Sequence, residues 1–156
     1  MAMEIERKFL VKDGWQPKDA GSYIAQGYLS AEPARTVRVR VRGNQGYLTV
    51  KGKNDGICRA EFEYEVPLAD ARAMLALCIS PIIEKRRYME TYAGYCWEVD
   101  VFEGENAGLR VAEVELPSAD APVQLPDWAG DEVSGDARYY NSSLIKMPYS
   151  SWQAKK

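Results

Sequence analysis

The sequence predicts a mainly β (α+β) fold, in which eight antiparallel strands form a barrel or a strongly curved sheet with a few flanking helices. Eight segments alternate apolar and polar side chains with the period of two that is typical of a strand whose two faces differ. Turns such as Gly43-Asn44-Gln45-Gly46 connect neighbouring segments, because Gly and Asn tolerate the positive φ of tight hairpins. Hairpin-connected strands of this kind are typical of antiparallel barrels and curved sheets.

The predicted strands follow one another along most of the chain, and turn residues separate them. They cover residues 4–11, 22–30, 36–42, 47–53, 58–66, 82–92, 96–103 and 109–116.

The flanking helices are predicted from a change of period. Residues 68–79 place Leu68, Ala71, Leu75 and Cys78 at helical spacing, and Pro81 ends this helix. One short helix is expected within residues 117–131. Another begins at a cap supplied by Ser134 or Asp136 and runs through Ile145. We expect a single domain over residues 1–156, with a loose tail from about residue 147.

Composition excludes several classes of protein. The net charge of −3 argues against a general nucleic-acid binder, and no apolar run is long enough for a transmembrane helix. The N-terminus is charged from Glu4, which argues against a signal peptide. Three widely spaced cysteines favour a reducing, cytoplasmic location. Because the chain has no histidine, any proton transfer must use Glu, Asp, Lys, Tyr or metal-bound water.

One face of the predicted strands is densely charged, whereas the other is apolar. The charged face carries Glu4, Glu6, Lys8, Arg38, Arg40, Lys51, Glu61, Glu63, Lys85, Arg87, Glu98, Asp100, Glu113 and Glu115. An open sheet with a solvated charged face is one interpretation. The charges are nevertheless sorted by strand, acid beside acid and base beside base. Like charges two residues apart repel each other, so this pattern favours a site for a polyanion and a metal.

The residue types define the chemistry of such a site. Carboxylates without histidine or thiolate ligands select hard cations, here Mg²⁺ or Mn²⁺. Arginine pairs bind phosphoryl oxygens in a bidentate manner, and lysine adds a point charge. A cleft with both sets of residues is suited to a metal-bound polyphosphate.

The motifs of the chain resemble those of the triphosphate tunnel metalloenzymes, also called the CYTH superfamily. Glu4-Ile5-Glu6-Arg7-Lys8 resembles the ExExK signature of that family. The resemblance continues in order through Gln26-Gly27-Tyr28-Leu29, Val37-Arg38-Val39-Arg40, Thr49-Val50-Lys51, Glu61-Phe62-Glu63, Glu84-Lys85-Arg86-Arg87-Tyr88, Glu98-Val99-Asp100-Val101-Phe102, Ala112-Glu113-Val114-Glu115 and Arg138-Tyr139-Tyr140-Asn141. ExExK alone is a weak pattern, but the whole series is specific. The most similar subgroup is the short bacterial tripolyphosphatase type, a single barrel without an appended domain.

The resemblance implies an eight-stranded antiparallel β-barrel tunnel whose lumen is the active site. It implies that divalent metal is held by Glu4, Glu6, Glu113 and Glu115, with Asp100, Glu61 and Glu63 close by. It implies that the triphosphate is held by Lys8, Arg38, Arg40, Lys51, Lys85 and Arg87. Tyr28 matches a tyrosine that is proposed to handle protons together with the ExExK lysine, here Lys8. An ordinary packed strand tyrosine is the alternative for Tyr28.

The function that the resemblance implies is metal-dependent hydrolysis of inorganic tripolyphosphate or other triphosphates. Adenylate cyclase or thiamine triphosphatase activity in the same tunnel stays open, and so does a non-catalytic polyphosphate-binding module. The expected partner is therefore a triphosphate, without nucleic acid or membrane, and a homodimer is kept open. One departure from the family pattern is Ala137, where close relatives often have a basic residue, which leaves Arg138 as the only nearby base.

Overall fold

The computed structural model of the chain describes residues 3–153, and this part contains nine β-strands and three α-helices. The strands are β1 (Met3–Val11), β2 (Ser22–Glu32), β3 (Arg35–Arg42), β4 (Gln45–Gly52), β5 (Cys58–Val66), β6 (Ile79–Tyr92), β7 (Tyr95–Phe102), β8 (Arg110–Glu115) and β9 (Ala129–Glu132). The helices are α1 (Leu68–Leu75), α2 (Asn141–Leu144) and α3 (Tyr149–Gln153), with 3₁₀ turns at Gly104–Asn106 and Ala137–Tyr139. No described helix is long and apolar enough to cross a membrane.

Eight of the strands close into an antiparallel barrel. Their order is β5-β4-β3-β2-β6-β7-β8-β1, and pairing of β1 with β5 completes the ring. This closing pair is short, with only Met3, Glu4 and Ile5 opposite residues of β5. β9 lies outside the ring and pairs with the C-terminal half of β1. The predicted eight-stranded barrel is therefore confirmed, and the alternative of an open sheet is wrong.

The strand register places the charged face inside the barrel. Lys8 of β1 lies opposite Glu113 of β8, and Glu113 in turn lies opposite Glu98 of β7. Arg87 of β6 lies opposite Asp100 of β7 in the same way. Because side chains directly opposite each other in a ladder point to the same face, these charges share the lumen.

The same inward faces become apolar towards one end of the barrel. Towards this end, the next inward side chain after Lys8 on β1 is Leu10, and the next after Asp100 on β7 is Phe102. On β6, which runs in the opposite direction, the corresponding residue is Ile83, two residues before Lys85. These residues pack with Leu144, the last residue of α2, and with Ile145, which follows it. Both lie in a buried cluster with Tyr28 and Val111. The C-terminal segment thus closes this end of the lumen with an apolar plug.

A second core covers the outside of the barrel at β1, β7 and β8. Phe9, Trp97 and Val114 are buried there beneath two indole rings, Trp15 from the β1–β2 loop and Trp128 from the segment before β9. This packing holds the strands that carry the predicted metal carboxylates against a rigid outer layer.

Helix α1 lies on the outer surface of β3 and β4. It approaches β4 so closely that a Cβ atom on Gly46 would lie 2.5 Å from the Cβ atom of Ala71. Just past the helix, Cys78 leaves equally little room at Gly27, where an added Cβ would lie 2.7 Å from the Cβ of Cys78. Glycine at these two strand positions is what allows the helix and its C-terminal turn to approach the barrel.

The helix predicted over residues 68–79 is shorter in the structure, where α1 ends at Leu75. The amide groups of Ala76, Leu77 and Cys78 donate to carbonyl oxygens three residues earlier, so the chain leaves α geometry in a tightened turn. β6 then begins at Ile79 and contains Pro81, which was expected only to end a helix. Pro81 lies where the β2–β6 register shifts, so its missing N–H does not interrupt a regular ladder.

The C-terminal third also departs from the sequence prediction. Residues 117–131 contain no helix and end in β9. Asp136 does cap, because its side chain accepts a hydrogen bond from the Arg138 amide, but it caps a 3₁₀ turn that precedes α2. Within the tail predicted from about residue 147, Trp152 of α3 packs edge-on against Tyr139 and Tyr149 at 5.1 and 5.3 Å between ring centroids. Residues 154–156 of the predicted tail lie outside the described residues.

Candidate active site inside the barrel

A cavity of about 410 Å³ occupies the charged part of the lumen. Its walls include every cation predicted to hold the substrate, namely Lys8, Arg38, Arg40, Lys51, Lys85 and Arg87. They also include the predicted carboxylates Glu4, Glu6, Glu61, Glu63, Glu113 and Glu115, together with Tyr28. Asp100 is the one predicted site residue that does not line the cavity.

Asp100 lies behind the cations and holds two of them. Its carboxylate accepts two hydrogen bonds from the Arg87 guanidinium at 2.8 and 2.9 Å, and the Lys85 ammonium lies 2.6 Å from Oδ2. Asp100 and Lys85 are both 1% exposed. Burial opposes ionisation of Asp100, but Lys85 and Arg87 outweigh it and hold the pKa of Asp100 far below its ordinary value. With both oxygens occupied by cations, Asp100 fixes the positions of Lys85 and Arg87.

Crowding of positive charge marks this part of the wall. Burial, reinforced by Arg38 and Arg87, lowers the pKa of Arg40 to about 9. Burial also lowers the pKa of Lys85 to about 7, with Arg87 and Arg40 acting in the same direction and Asp100 opposing them. An anion placed among these groups would offset the cost of burying their charges and would reduce their mutual repulsion.

The carboxylates on the opposite part of the wall fall into two groups. Glu4 accepts from the Lys51 ammonium at 3.0 and 3.1 Å, and Glu61 lies 3.6 Å from the same nitrogen. Glu63 accepts from the Thr49 hydroxyl at 2.9 Å and from Arg38 at 3.3 Å. These three carboxylates are therefore already paired with cavity cations.

The second group is Glu6, Glu113 and Glu115, for which no ion pair within 4 Å occurs among residues 3–153. Glu6 lies opposite Glu115 in the β1–β8 ladder, and Glu113 lies opposite Lys8 two residues along, so the three carboxylates share one side of the lumen. Burial, with Glu113 and Glu4 adding repulsion, raises the pKa of Glu6 well above its ordinary value. Burial, with Glu4 and Glu98, also raises the pKa of Glu115. A divalent cation at this group would reduce the repulsion between Glu6 and Glu113.

Lys8 lies between the two kinds of charge. Its ammonium is 5.4 Å from the centre of the Tyr140 ring and 3.4 Å from the carbonyl oxygen of Tyr139. Burial lowers the pKa of Lys8, but the carboxylates of Glu113 and Glu6 outweigh it, so that the pKa is raised. Lys8 is therefore an ammonium in this cavity. Tyr28 is 5% exposed, and it contributes both to the cavity wall and to the buried cluster at the closed end.

The C-terminal segment contributes polar groups that the charge pattern did not indicate. Ser134, Tyr140 and Asn141 line the cavity, whereas Arg138 is exposed, pairs with Asp136 and lies over the Tyr139 and Trp152 rings. Glu98 also lines the wall and lies 3.3 Å from Arg87. The alternation of side chains on β7 predicts that Glu98 faces the lumen. Asn141 is neutral and lies in a four-residue helix, so no periodic charge pattern predicts its position.

Comparison with known proteins agrees with this architecture. The family model described as CYTH domain matches residues 2–146. The chain belongs to the CYTH domain family. The resemblance predicted from the strand motifs is thereby confirmed.

Relatives within this CYTH family cover nearly the whole chain. An inorganic triphosphatase of Acetivibrio thermocellus is 48% identical over 155 residues, which is 98% of this chain and 99% of the relative. An inorganic triphosphatase of Nitrosomonas europaea is 34% identical over 146 residues, which is 90% of this chain and 95% of the relative.

Solved CYTH-like structures share the barrel. The crystal structure of an inorganic triphosphatase superposes with a TM-score of 0.67 at 32% identity, covering 93% of this chain and 95% of that one. A putative adenylate cyclase from Bacillus halodurans gives a TM-score of 0.53 at 15% identity over 77% of this chain and 84% of that one. The second likeness shows a common fold only.

Triphosphate tunnel metalloenzymes take a divalent metal, and the donor set of this cavity fits one. Glu6, Glu113 and Glu115 offer only oxygen donors, and a cation would relieve the repulsion between Glu6 and Glu113. Within residues 3–153, no three His, Cys, Asp or Glu side chains converge tightly enough to form a finished metal centre. The cavity thus provides suitable ligands that are not arranged around a single point.

Proposed function

We propose that this protein hydrolyses inorganic triphosphate inside the barrel, with Mg²⁺ or Mn²⁺ as the metal. The observation that carries the proposal is the cavity itself, in which cations from β1, β3, β4 and β6 face carboxylates. Three of these carboxylates, Glu6, Glu113 and Glu115, form no ion pair within residues 3–153. Relatives that align over nearly the full chain are named inorganic triphosphatase.

The cations bind the substrate in this proposal. Arg38, Arg40, Lys85 and Arg87 come from the neighbouring part of the wall formed by β3 and β6, which flank β2. Lys8 and Lys51 approach from β1 and β4. Fixed donors on several sides stabilise the charge that develops on the phosphoryl oxygens without having to reorganise.

Glu4, Glu6, Glu113 and Glu115 would hold the metal, with Glu61 and Glu63 nearby. A bound divalent ion supplies Lewis-acid stabilisation of the phosphoryl oxygens and a more acidic water. Hydrolysis forms a bond from the water oxygen to a terminal phosphorus and breaks the bond to the bridging oxygen, which leaves orthophosphate and pyrophosphate. Lys8 would donate a hydrogen bond or a proton to the leaving oxygen, and Tyr28 is the second candidate for handling protons.

We also propose that the whole chain acts as one domain and works in the cytoplasm on a triphosphate, without nucleic acid or membrane, while a homodimer stays open. The family match over residues 2–146 supports the first point, and three cysteines without a disulfide support the second.

The test is a phosphate-release assay on tripolyphosphate with Mg²⁺ and with Mn²⁺. Glu115→Gln keeps the shape of the side chain but removes a metal ligand, so we expect turnover to fall by about 10²–10⁴-fold. Glu105→Gln, on an exposed turn, is the matched control and should behave as the wild type. Near-full turnover by Glu115→Gln would contradict the assignment of the metal site.

The same assay separates the alternative functions. Cyclic AMP formed from ATP would mean a cyclase, and faster turnover of thiamine triphosphate than of tripolyphosphate would mean a thiamine triphosphatase. Tight tripolyphosphate binding without phosphate release under any metal would mean a binding module.

A further inference from the structure

Asn141 lies at the closed end of the cavity, where it is the first residue of α2. Its side-chain oxygen accepts two hydrogen bonds, one from the Gln26 amide nitrogen and one from the Lys85 ammonium, each at 3.0 Å. Gln26 is fully buried on β2. The residue therefore joins the C-terminal plug to two strands of the cavity wall.

The orientation of the Asn141 amide follows from a chain of hydrogen bonds that begins at Arg40. A guanidinium has donors only, so the Arg40 Nε–H, 2.8 Å from Gln26, must face the Gln26 oxygen. Gln26 then turns its NH₂ group towards Asn141, which can meet it only with an oxygen. This assignment is independent of the protonation state of Lys85.

The consequence is that the Asn141 NH₂ group has no hydrogen-bond partner within residues 3–153. Both hydrogen bonds that Asn141 makes to other side chains use its oxygen, and its nitrogen is not among the buried polar atoms without a partner in residues 3–153. Since Asn141 lines the cavity, this nitrogen is accessible to a molecule inside it. Lys85 donates to the same side chain, and Lys8 lies against the preceding Tyr139 and Tyr140, so the ligand that suits this donor is an anion.

We propose that Asn141 is a substrate-binding residue, whose NH₂ group donates to the phosphoryl group at the closed end of the cavity, and that Gln26 is the positioning residue that fixes this orientation. The proposal rests on the proposed function, because it takes the ligand to be a triphosphate. It assigns recognition of the deepest phosphoryl group to a neutral donor of the C-terminal segment as well as to the strand cations.

Two substitutions of Asn141 distinguish a donor from a mere support of Lys85. Asn141→Asp keeps an oxygen for Gln26 and Lys85 but presents a second oxygen to the ligand, whereas Asn141→Ala removes both functions. If the NH₂ group binds phosphate, affinity for tripolyphosphate should fall about tenfold or more in Asn141→Ala and further in Asn141→Asp. If Asn141 only supports Lys85, the alanine variant should be the weaker binder, which would overturn the proposal.

The measurement is calorimetric titration with tripolyphosphate in EDTA, where no turnover occurs, with kcat/KM measured in parallel. Asn44→Asp, on the exposed β3–β4 turn, controls for the added charge and should bind as the wild type. Melting curves establish that each variant is folded. Should Asn141→Asp fail to fold, Asn141→Ser replaces it, since its hydroxyl can still donate and should leave affinity between wild type and alanine.

Gln26→Glu tests the positioning role. A glutamate can accept from Arg40 but has no N–H for Asn141, so Asn141 must turn its NH₂ group away from the cavity. We expect a loss of affinity of about tenfold that largely disappears when Gln26→Glu is combined with Asn141→Ala. An equal loss in both backgrounds would contradict the positioning role of Gln26.

If the wild type hydrolyses tripolyphosphate but Asn141 variants bind and turn it over normally, only this inference fails. If the wild type neither binds nor hydrolyses it, the proposed function fails as well.

Discussion

Asp100 shows how single residues prepare the cavity for an anion. Each of the two cations that it holds keeps donors for a ligand. The Lys85 ammonium has three N–H groups, of which one faces Asp100, one donates to Asn141 and one remains. The Arg87 guanidinium uses its Nε and one terminal nitrogen on Asp100. A buried carboxylate behind the cavity wall can thus determine where two of the proposed substrate contacts lie.

Removing this carboxylate should be costly. Asp100→Asn has nearly the same shape but leaves Lys85 and Arg87 buried without their counter-ion, so we expect a loss of about 3–5 kcal/mol in the free energy of unfolding. Urea denaturation at pH 7 measures it, with the exposed Asp131→Asn as the control. A loss below about 1 kcal/mol would mean that the cations repack or lose their charge at no cost.

The pH dependence of this loss has a definite sign. The folded-state pKa of Asp100 lies far below its unfolded value, so its contribution is complete above about pH 4 and shrinks as the pH falls further. The stabilities of the wild type and Asp100→Asn should therefore converge as the pH falls below about 4.

At the level of elements, close contact between α1 and the barrel depends on one missing side chain. Gly46→Ala would place a methyl group 2.5 Å from the Cβ of Ala71, and the helix would have to move. We expect a loss of about 1–3 kcal/mol in the free energy of unfolding. Exchanging the two residues, Gly46→Ala with Ala71→Gly, returns the space and should recover stability, less about 1 kcal/mol for glycine in a helix.

The control for this exchange is Gly14→Ala, since no atom lies within 4 Å of an added Cβ there. Thermal melting of the four proteins is the measurement. If the double variant is no more stable than Gly46→Ala alone, steric contact with Ala71 is not the reason for the glycine.

The strands and the charged lumen could be predicted because alternation carries both. Each strand specifies its inward residues by a period of two, and the sorted charges mark which face encloses a ligand. The C-terminal elements could not be predicted in this way, since β9, α2 and α3 are each four or five residues long and depend on packing. Trp152 holds α3 by aromatic contacts, and Asn141 reaches the cavity through the plug, neither of which leaves a periodic signal.

At the level of the whole molecule, the cavity gathers like charges that its internal ion pairs neutralise only in part. Ligands that bind the folded state raise its stability by about 2.7 kcal/mol at a hundredfold excess over Kd. We expect tripolyphosphate and Mg²⁺ together to raise the melting temperature more than either does alone. The anion would reduce repulsion among the cations, the metal would reduce repulsion among the carboxylates, and the two ligands would attract each other. Scanning calorimetry with each ligand and with both tests this. A joint shift no larger than the better single shift would mean that metal and anion do not share a site.

The apolar plug has a consequence for polymers. With Leu144 and Ile145 filling one end of the lumen, a long polyphosphate can enter only by its terminus, and cannot thread through the barrel. Internal anhydride bonds would then stay out of reach, so the enzyme should act as an exophosphatase that shortens chains stepwise from one end. Gel electrophoresis of a long polyphosphate during digestion should show gradual shortening with early release of small phosphates, whereas an early smear of mid-length fragments would mean that the closed end opens.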